Sequence, residues 1–421
     1  MASPPEARVP EVSFLEFRDR AGLDRRRIPI EGTIETTFRC NLNCVHCYVN
    51  QPAGSREEKE RELGLERLEA LMDEIVEEGT LFVLFTGGEV LVRPDFPELY
   101  LYARSKGLLV TIFTNGTMIT DRIADLFAEN RPDRIEVSLY GMTKETYERV
   151  TRVPGSFGKC LAGIRRLVER GVPLTLKTMA LTWNQHEIEA MEAYAKGLGL
   201  VFRFDSSLNP RVDCGANRSS ELQLDPERAL DLDLGNPERM EGFRDFCRRF
   251  TRPDAEYGAE KVYTCGAGLS AFTVDPYGRL QMCQLLRKSF HDLKSGRFAD
   301  GWHGLFPKLR ERTWQSNEVC RKCSLMALCG SCPGAAEMET GDVEGIVPAF
   351  CELAHLRAWA VMGEGTGHRR NATCCLGHGK LAARPHDEAQ AALSGGCGSC
   401  GNASPEPDGK AVRPEPSPRR A

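Results

Sequence analysis

The chain has 421 residues, which is enough to bury a large core and predicts two or three domains. A formal net charge of −5 gives no reason to expect nucleic acid or a membrane surface as a partner. No apolar run approaches membrane-spanning length, and residues 1–10 lack the features of a secretory signal. Because the chain has 17 cysteines and no export signal, we expect thiolate–metal sites in the reducing cytoplasm rather than a disulfide framework.

Residues 1–30 form a Pro- and Arg-rich extension that is too short to be a separate peptide-binding domain. From Glu31 onwards, apolar β-branched runs alternate with amphipathic helical patterns. The predicted strands are residues 33–38, 81–86, 108–114, 134–139, 174–179 and 200–204. The predicted helices between them are residues 63–78, 95–106, 120–129, 144–149, 157–170 and 184–198. Asn184 followed by Glu187 is typical of a side-chain cap at the start of the last helix.

This alternation predicts an α/β fold with a parallel sheet and right-handed crossovers. Six strand–helix units are too few for a closed eight-fold barrel, so we expect a partial, TIM-like (β/α)6 barrel over residues 31–208. A doubly wound sheet is the alternative that periodicity leaves open. Residues 209–264 are predicted to be a charged bridging region, residues 265–363 a cysteine-rich domain, and residues 364–421 a disordered tail.

A cysteine-rich loop directly follows the first predicted strand. Cys40, Cys44 and Cys47 have the spacing C-x3-C-x2-C, and the next cysteine, Cys160, is far along the chain. Three thiolates this close can hold three corners of one iron–sulfur cube, which leaves one iron open to a chelating substrate. A zinc knuckle or thiols with structural roles are the alternatives.

Polar and glycine-rich motifs end the next three strands. Gly87, Gly88 and Glu89 end the second strand, where glycines permit a close backbone approach and a carboxylate can accept from an ammonium group. Asn115 ends the third strand and Ser138 the fourth. Polar residues at successive strand ends are what a polar ligand across the barrel mouth requires.

Three further side chains are candidates near this mouth. Lys177 is a charge inside an apolar strand, so we expect it to meet a carboxylate at the mouth unless it is an edge lysine that reaches solvent. His46 lies in the cysteine loop and is either a ring beside a ligand or a solvated loop histidine. Tyr48 is expected to pack in the core.

The cysteine loop followed by Gly-Gly-Glu resembles the radical SAM superfamily. The resemblance implies a [4Fe–4S] cluster on the three loop cysteines, with S-adenosylmethionine bound through its amino and carboxylate groups to the open iron. It implies that residues 87–89 hold the methionyl amino group, that Ser138 and Asn115 contact ribose or carboxylate, and that His46 lies near the adenine. A reduced cluster would then cleave the sulfonium to give methionine and a 5′-deoxyadenosyl radical that abstracts hydrogen from a substrate.

A second set of cysteines begins at Cys265. Residues 272–283 are predicted to form a β-hairpin with a Pro/Gly turn that ends in a cysteine. A C-x2-C-x5-C-x2-C run and one later cysteine follow. The remaining cysteines of this set are Cys283, Cys320, Cys323, Cys329, Cys332 and Cys351. Seven thiols suit two clusters, one with four ligands and one with three, and a zinc ribbon is the alternative.

This second set resembles the SPASM extension of radical SAM enzymes, which carries two auxiliary [4Fe–4S] clusters. The resemblance implies one cluster on Cys320, Cys323, Cys329 and Cys351, and another on Cys265, Cys283 and Cys332. Two residues separate Cys329 from Cys332, where the family usually has three. The three-thiol cluster would have an open iron or a non-cysteine ligand. Gln284 stands where sulfatase-maturing members have an aspartate, which argues against formylglycine formation.

The resemblance predicts an oxidoreductase that oxidises or cross-links a ribosomally made peptide. A tetrapyrrole- or small-molecule-modifying oxidase is the second hypothesis, and a non-catalytic iron–sulfur or zinc protein is the third. Expected partners are the peptide, a reductant such as flavodoxin or ferredoxin, and a separate leader-peptide-binding protein. Cys160, Cys214 and Cys247 are expected to be buried, inert thiols. The tail cysteines could be metal-handling, substrate-like or without function; they are Cys374, Cys375, Cys397 and Cys400.

Overall fold

The computed structural model describes residues 16–17, 20–212, 219–250, 260–321, 323, 325, 328–329 and 332–362. The predicted tail with its four cysteines lies outside these residues, as do Cys214 and the side chain of Cys247. No helix among the described residues is long and apolar enough to cross a membrane.

The strands are named in chain order. They are β1 Glu31–Thr37, β2 Arg39–Cys40, β3 Gln51–Pro52, β4 Phe82–Gly87, β5 Leu109–Thr114, β6 Arg134–Ser138, β7 Leu174–Met179, β8 Val201–Asp205, β9 Ala271–Val274, β10 Arg279–Gln281 and β11 His291–Asp292. The strands β2 and β3 form a small separate sheet, and the others form one sheet of nine strands in the order β11-β10-β9-β1-β4-β5-β6-β7-β8.

The helices alternate with the strands in the first half of the chain. They are α1 Leu23–Arg26, α2 Arg56–Arg61, α3 Leu65–Glu77, α4 Phe96–Ser105, α5 Asp121–Glu129, α6 Lys144–Thr151, α7 Ser156–Glu169, α8 Ile188–Gly197, α9 Ser219–Leu222, α10 Pro226–Leu234, α11 Pro237–Phe250, α12 Phe306–Arg310, α13 Glu318–Arg321, α14 Pro333–Thr340 and α15 Pro348–Met362. Short 3-10 turns span Val90–Val92 and Gln185–Glu187, and a π-helical turn spans Asp300–Leu305.

The six predicted strands are confirmed as β1 and β4 to β8, and each pairs in parallel with the next. Helices connect them, so their C-terminal ends and the loops that follow lie on one side of the sheet. The predicted α/β partial barrel is therefore the observed architecture.

The two faces of the barrel strands differ in burial. In β5, Val110 and Ile112 are fully buried in the helix-covered core, while Thr111 and Phe113 are half-buried on the inner face. Parallel strands place successive side chains on opposite faces, so the inner face is the one that a ligand can reach.

The predicted hairpin is confirmed as β9 and β10, which pair antiparallel. The strand β9 also pairs in parallel with β1, so Glu31 lies opposite Ala271 and Ile34 opposite Val274. The sheet of the barrel therefore continues into the cysteine-rich region. The sequence gives no local sign of this pairing, because more than 200 residues separate the two strands. The helices α10 and α11 lie among the residues that were predicted to form the bridging region.

The predicted helix cap at Asn184 is wrong. The helix α8 begins at Ile188, and Asn184 uses its side chain elsewhere: its Oδ1 accepts from Leu181 N at 2.8 Å. The Glu187 carboxylate accepts instead from the Thr143 and Thr146 hydroxyls, both at 2.6 Å. Thr143 and Thr146 lie at the start of α6. Glu187 therefore links the segment before α8 to α6, which joins two units of the barrel, and its side chain does not cap α8.

Candidate metal and cofactor site

The cysteine loop leaves β1 at the C-terminal end of the sheet. Its backbone is fixed to the end of α6, because Asn43 N donates to Thr151 O and Val45 N to Val150 O, both at 3.0 Å. Within the loop, Cys47 N donates to Cys44 O at 3.1 Å. The structure therefore holds the three-cysteine segment in one compact turn.

The three thiols are close enough to affect one another. Burial, the nearby Glu89 and the neighbouring thiol of Cys47 together raise the pKa of Cys40 to about 12. Burial also raises the pKa of Cys44 well above its usual value, with contributions from Cys47 and Cys40. A metal bound here would replace these thiol protons, because only thiolates ligate iron.

The Gly-Gly-Glu turn packs against the start of this loop. Gly88 N donates to Thr37 O at 2.7 Å, and Glu89 N donates to Arg39 O at 3.0 Å. A Cβ atom on Gly87 would lie 2.1 Å from Thr37 O, and Gly87 has a φ of +126°. These contacts show that the glycines admit the backbone of the cysteine loop itself, whereas the sequence suggested only the approach of a ligand.

Glu89 is completely buried and joins two strand ends. Its carboxylate accepts from Thr114 Oγ1 at 2.8 Å, from Asn115 N at 2.7 Å and from Leu91 N at 3.2 Å. Burial raises the pKa of Glu89, while these hydrogen bonds favour its ionised form. A carboxylate next to the thiol loop is therefore held in a fixed position.

Asn115 connects the third strand end to the cysteine loop. Its Nδ2 donates to Asn41 Oδ1 at 2.9 Å and lies 3.8 Å from Cys40 Sγ. Its Oδ1 accepts from Thr117 N at 2.9 Å. The amide is therefore oriented by its neighbours, with its donor side directed towards the thiol loop.

His46 is buried, so the alternative of a solvated loop histidine is wrong. Its ring lies against Tyr140, with 4.9 Å between the ring centroids, and burial lowers its pKa to about 4. Its Nδ1 is buried and has no hydrogen-bond partner among the described residues. A neutral ring with an unused nitrogen fits a polar, aromatic ligand such as a purine.

Ser138 and Lys177 are paired on neighbouring strands β6 and β7. The Lys177 Nζ atom lies 3.4 Å from Glu136 Oε2 and 2.7 Å from the centroid of the Phe113 ring. Burial lowers the pKa of Lys177 well below its usual value. Arg203 on β8 also pairs with Glu136, and its side chain is 52% exposed. The inner face thus carries two basic side chains around one carboxylate.

A buried ion pair that was not predicted from the sequence joins the barrel to the cysteine-rich region. Arg287 donates two hydrogen bonds to Glu35 on β1, at 2.7 and 3.0 Å. Gln284 donates to Glu35 and to the Tyr48 hydroxyl, so Tyr48 belongs to a polar network and its expected place in the core is wrong. A charge at Glu35 inside a β-branched strand was the available signal.

The second cysteine set lines a cavity of about 210 Å³. The cysteines around it are Cys265, Cys320, Cys323, Cys329, Cys332 and Cys351. The remaining thiol, Cys283, lies beside them, because Cys332 and Cys265 add to the effect of burial that raises its pKa to about 12. No three His, Cys, Asp or Glu side chains of the described chain form a ready-made site for a single metal ion. Thiols that hold a cubane need not meet at one point, since each binds a different iron.

A buried carboxylate organises the loop in front of Cys320. Glu344 accepts from the backbone N–H groups of Gln315, Ser316 and Asn317 at 3.0, 2.9 and 3.2 Å, and Asn317 Oδ1 accepts from Cys320 N at 2.9 Å. Burial acts to raise the pKa of Glu344, but the backbone hydrogen bonds outweigh it and hold the pKa at about 2. The loop that leads into the helix of Cys320 therefore depends on an ionised Glu344.

Acidification is expected to remove the contribution of Glu344 to stability. The unfolded chain takes up the proton near the ordinary pKa of 4.5 and the folded chain only near 2, so the contribution is present above about pH 4.5 and is lost as the pH falls towards 2. Thermal unfolding of the wild type and Glu344→Gln should differ most at pH 7 and least near pH 3. Asp342→Asn, at an exposed neighbour, is the control. An equal difference at both pH values would contradict this account.

Comparisons with known proteins agree with this geometry. The family described as the Radical SAM superfamily matches residues 34–195. An AdoMet-dependent heme synthase of Methanosarcina barkeri is 28% identical over 327 residues, which are 73% of this chain and 92% of that protein. The mycofactocin maturase MftC of Mycobacterium tuberculosis is 30% identical over 339 residues, 76% of this chain and 81% of that protein.

A solved structure shows the same fold. The crystal structure of Streptococcus suis SuiB bound to precursor peptide SuiA has a TM-score of 0.58 and 16% identity. The match covers 82% of this chain and 83% of that chain. At this identity the likeness concerns the fold alone.

The fold and the site define a class of protein: a partial β/α barrel with a three-thiol loop at the C-terminal end of its first strand. The chain belongs to the radical SAM superfamily, in its SPASM subgroup. Membership implies an enzyme that uses a [4Fe–4S] cluster and S-adenosylmethionine.

Proposed function

We propose that the chain is a peptide-modifying radical SAM enzyme that oxidises or cross-links a ribosomally made peptide. One observation carries the proposal: the loop with Cys40, Cys44 and Cys47 lies against the ends of β4 and β5. At these strand ends Glu89 and Asn115 are held in place by hydrogen bonds. The three thiols would hold the cluster. When bound, the cluster and S-adenosylmethionine supply hydrogen-atom abstraction from an unactivated carbon.

The residues of the barrel mouth suit this cofactor. The buried Nδ1 of His46 offers a hydrogen-bond partner to the adenine. Ser138 is the last residue of β6, the strand that pairs with β5. Glu89 and the Gly87–Gly88 turn place a carboxylate and backbone groups where an ammonium group could be bound. Lys177 is a candidate for binding either the cofactor or the substrate. Because its ammonium group is already paired with Glu136, we favour contact with the substrate.

Two auxiliary clusters are part of the proposal. The cavity of about 210 Å³ supports it, because six of the seven thiols line this space and the seventh lies beside them. The ligand sets implied by the resemblance and the domain limits at residues 31, 209, 265 and 364 remain proposals. The pairing of β1 with β9 in one sheet favours a rigid connection between the barrel and the auxiliary domain.

We also propose that an external flavodoxin or ferredoxin reduces the protein and that a separate protein binds the leader peptide.

A tetrapyrrole substrate is the second candidate. It is favoured by the heme synthase, which matches this chain over 92% of its own length. The peptide is favoured by the name of the mycofactocin maturase, which is slightly more identical, and by the SuiB structure that contains a precursor peptide.

A turnover experiment tests both the activity and the substrate. Reduced, anaerobic protein with S-adenosylmethionine is expected to release 5′-deoxyadenosine, and Cys40→Ala should release none because the cluster loses one of three thiolates. The control Cys160→Ala removes a fully buried thiol outside the loop and should keep activity. Liquid chromatography with mass spectrometry measures the product.

The substrate arms separate the two candidates. A short peptide encoded beside this chain should lose the mass of hydrogen atoms only with active protein, and a tetrapyrrole should be unchanged. Modification of the tetrapyrrole alone would replace the peptide proposal by the second one. Equal release of 5′-deoxyadenosine by the wild type and Cys40→Ala would overturn the proposed activity.

A further inference from the structure

The helix α15 presents two metal-ligating side chains to the cysteine-lined cavity. Cys351 and His355 are four residues apart, and both line this space. Residues i and i+4 lie on the same face of a helix, one turn apart. The packing of Ala354 and Ala358 against Leu325 and Leu328 fixes that face relative to the neighbouring cysteine loop.

A count of ligands leaves one position unfilled. Two [4Fe–4S] clusters with protein ligands at every iron need four ligands each. Residues 265–363 contain seven cysteines. Among the described residues that line the cavity, His355 is the one side chain besides the cysteines that carries an imidazole or a carboxylate.

We propose that His355 supplies the eighth ligand of the auxiliary clusters, through an imidazole nitrogen bound to the iron that no thiolate fills. This inference rests on the proposed function, because it requires that the auxiliary clusters exist. Imidazole is an established ligand of iron in iron–sulfur centres alongside thiolates. The unfilled iron belongs to the three-thiol set, and the cavity that His355 lines also contains Cys265 and Cys332 of that set.

The proposal has an electronic consequence. A neutral imidazole gives its cluster one negative charge fewer than a thiolate would, and a less negative cluster accepts an electron more readily. The cluster with His355 should therefore have a higher midpoint potential than the same cluster with a fourth thiolate. Replacement of His355 by cysteine should lower the potential and keep the iron.

The experiment uses the full chain reconstituted with iron and sulfide, in a background of Cys40→Ala, Cys44→Ala and Cys47→Ala. That background removes the cluster of the barrel, so the reduced spectrum comes from the auxiliary clusters alone. Pulsed electron paramagnetic resonance on protein labelled with ¹⁵N-histidine should show a nitrogen coupling of the labelled isotope. The coupling should vanish in His355→Ala and in His355→Cys, and persist in His303→Ala, at an exposed histidine bound to Glu78.

Each result has one meaning. Loss of the coupling in both His355 variants, with a lower midpoint potential and full iron content in His355→Cys, supports ligation. Full iron content with no histidine coupling in the wild type overturns the inference while the auxiliary clusters stand. Protein that binds no iron in this background overturns the auxiliary-cluster proposal, and with it this inference. If His355→Ala does not fold, His355→Cys alone decides, because a thiolate can take the same position.

Discussion

Replacement of Arg287 by methionine is expected to lower the free energy of unfolding by about 3–5 kcal/mol. The reason is the partner that remains. The side chain of Glu35 is fully buried, and Arg287 supplies two of its hydrogen bonds, at 2.7 and 3.0 Å. Methionine would fill the space of the stem but leave the Glu35 carboxylate buried without a counter-charge. Denaturant unfolding followed by circular dichroism measures the change.

A double variant separates the charge from the packing. Glu35→Gln together with Arg287→Met should be less destabilised than Arg287→Met alone, because no ionised group is left buried. The surface pair of Arg297 and Glu77, each 67% exposed, is the matched control, and Arg297→Met should cost less than about 1 kcal/mol. If Arg287→Met and Arg297→Met cost the same, the buried pair does not hold the two regions together as described.

The functional consequence follows from where the two residues lie. Glu35 is on β1, which leads into the loop of Cys40, and Arg287 closely follows Cys283. The pair therefore fixes the auxiliary segment against the strand that carries the cofactor loop. We expect Arg287→Met to disturb both thiol sites even where the protein remains folded.

Gly87→Ala should destabilise the fold by about 2–6 kcal/mol and reduce the iron bound at the cysteine loop. Two costs add. Gly87 has a φ of +126°, which L-residues rarely adopt, and its new Cβ would lie 2.1 Å from Thr37 O. Either the turn or the start of the cysteine loop must move, so the three thiols lose their arrangement. Thermal unfolding and iron analysis of the reconstituted protein measure the two effects.

Gly107→Ala isolates the backbone cost from the steric one. Gly107 has a φ of +82°, and a Cβ there would meet nothing within 4 Å. This variant should lose only about 1–2 kcal/mol and keep its iron. Similar iron contents in Gly87→Ala and Gly107→Ala would show that the close contact with Thr37 does not position the loop.

Much of the barrel could be predicted from local patterns. The run at residues 174–179 gave the limits of β7, and the period of apolar residues placed the helices within a few positions. A strand buries alternate residues, and a helix buries residues that are three and four positions apart. Both patterns extend over only a few residues, so they are visible in the sequence. The spacing of Cys40, Cys44 and Cys47 is equally local, because one loop carries all three.

The role of single polar residues could not be predicted with the same success. Asn184 and Glu187 have the spacing of a helix cap, yet Glu187 accepts from Thr143 and Thr146 instead. His46 could be exposed or buried on the sequence alone, and only the packing of Tyr140 against its ring decides that it is buried. A polar side chain takes the partner that tertiary packing brings within reach, whatever its neighbours in the sequence suggest.

By itself the sequence determined the alternation of six parallel strands with helices and the thiol loop after the first strand, and it favoured a partial barrel over a doubly wound sheet. Only the tertiary structure decided that β9 extends the sheet beside β1, that Arg287 neutralises Glu35, and that His355 shares a cavity with the second cysteine set. These contacts join residues that are far apart along the chain. They depend on which surfaces come into contact when the barrel and the cysteine-rich region pack together. The periodicity of apolar residues within one segment carries no information about that contact.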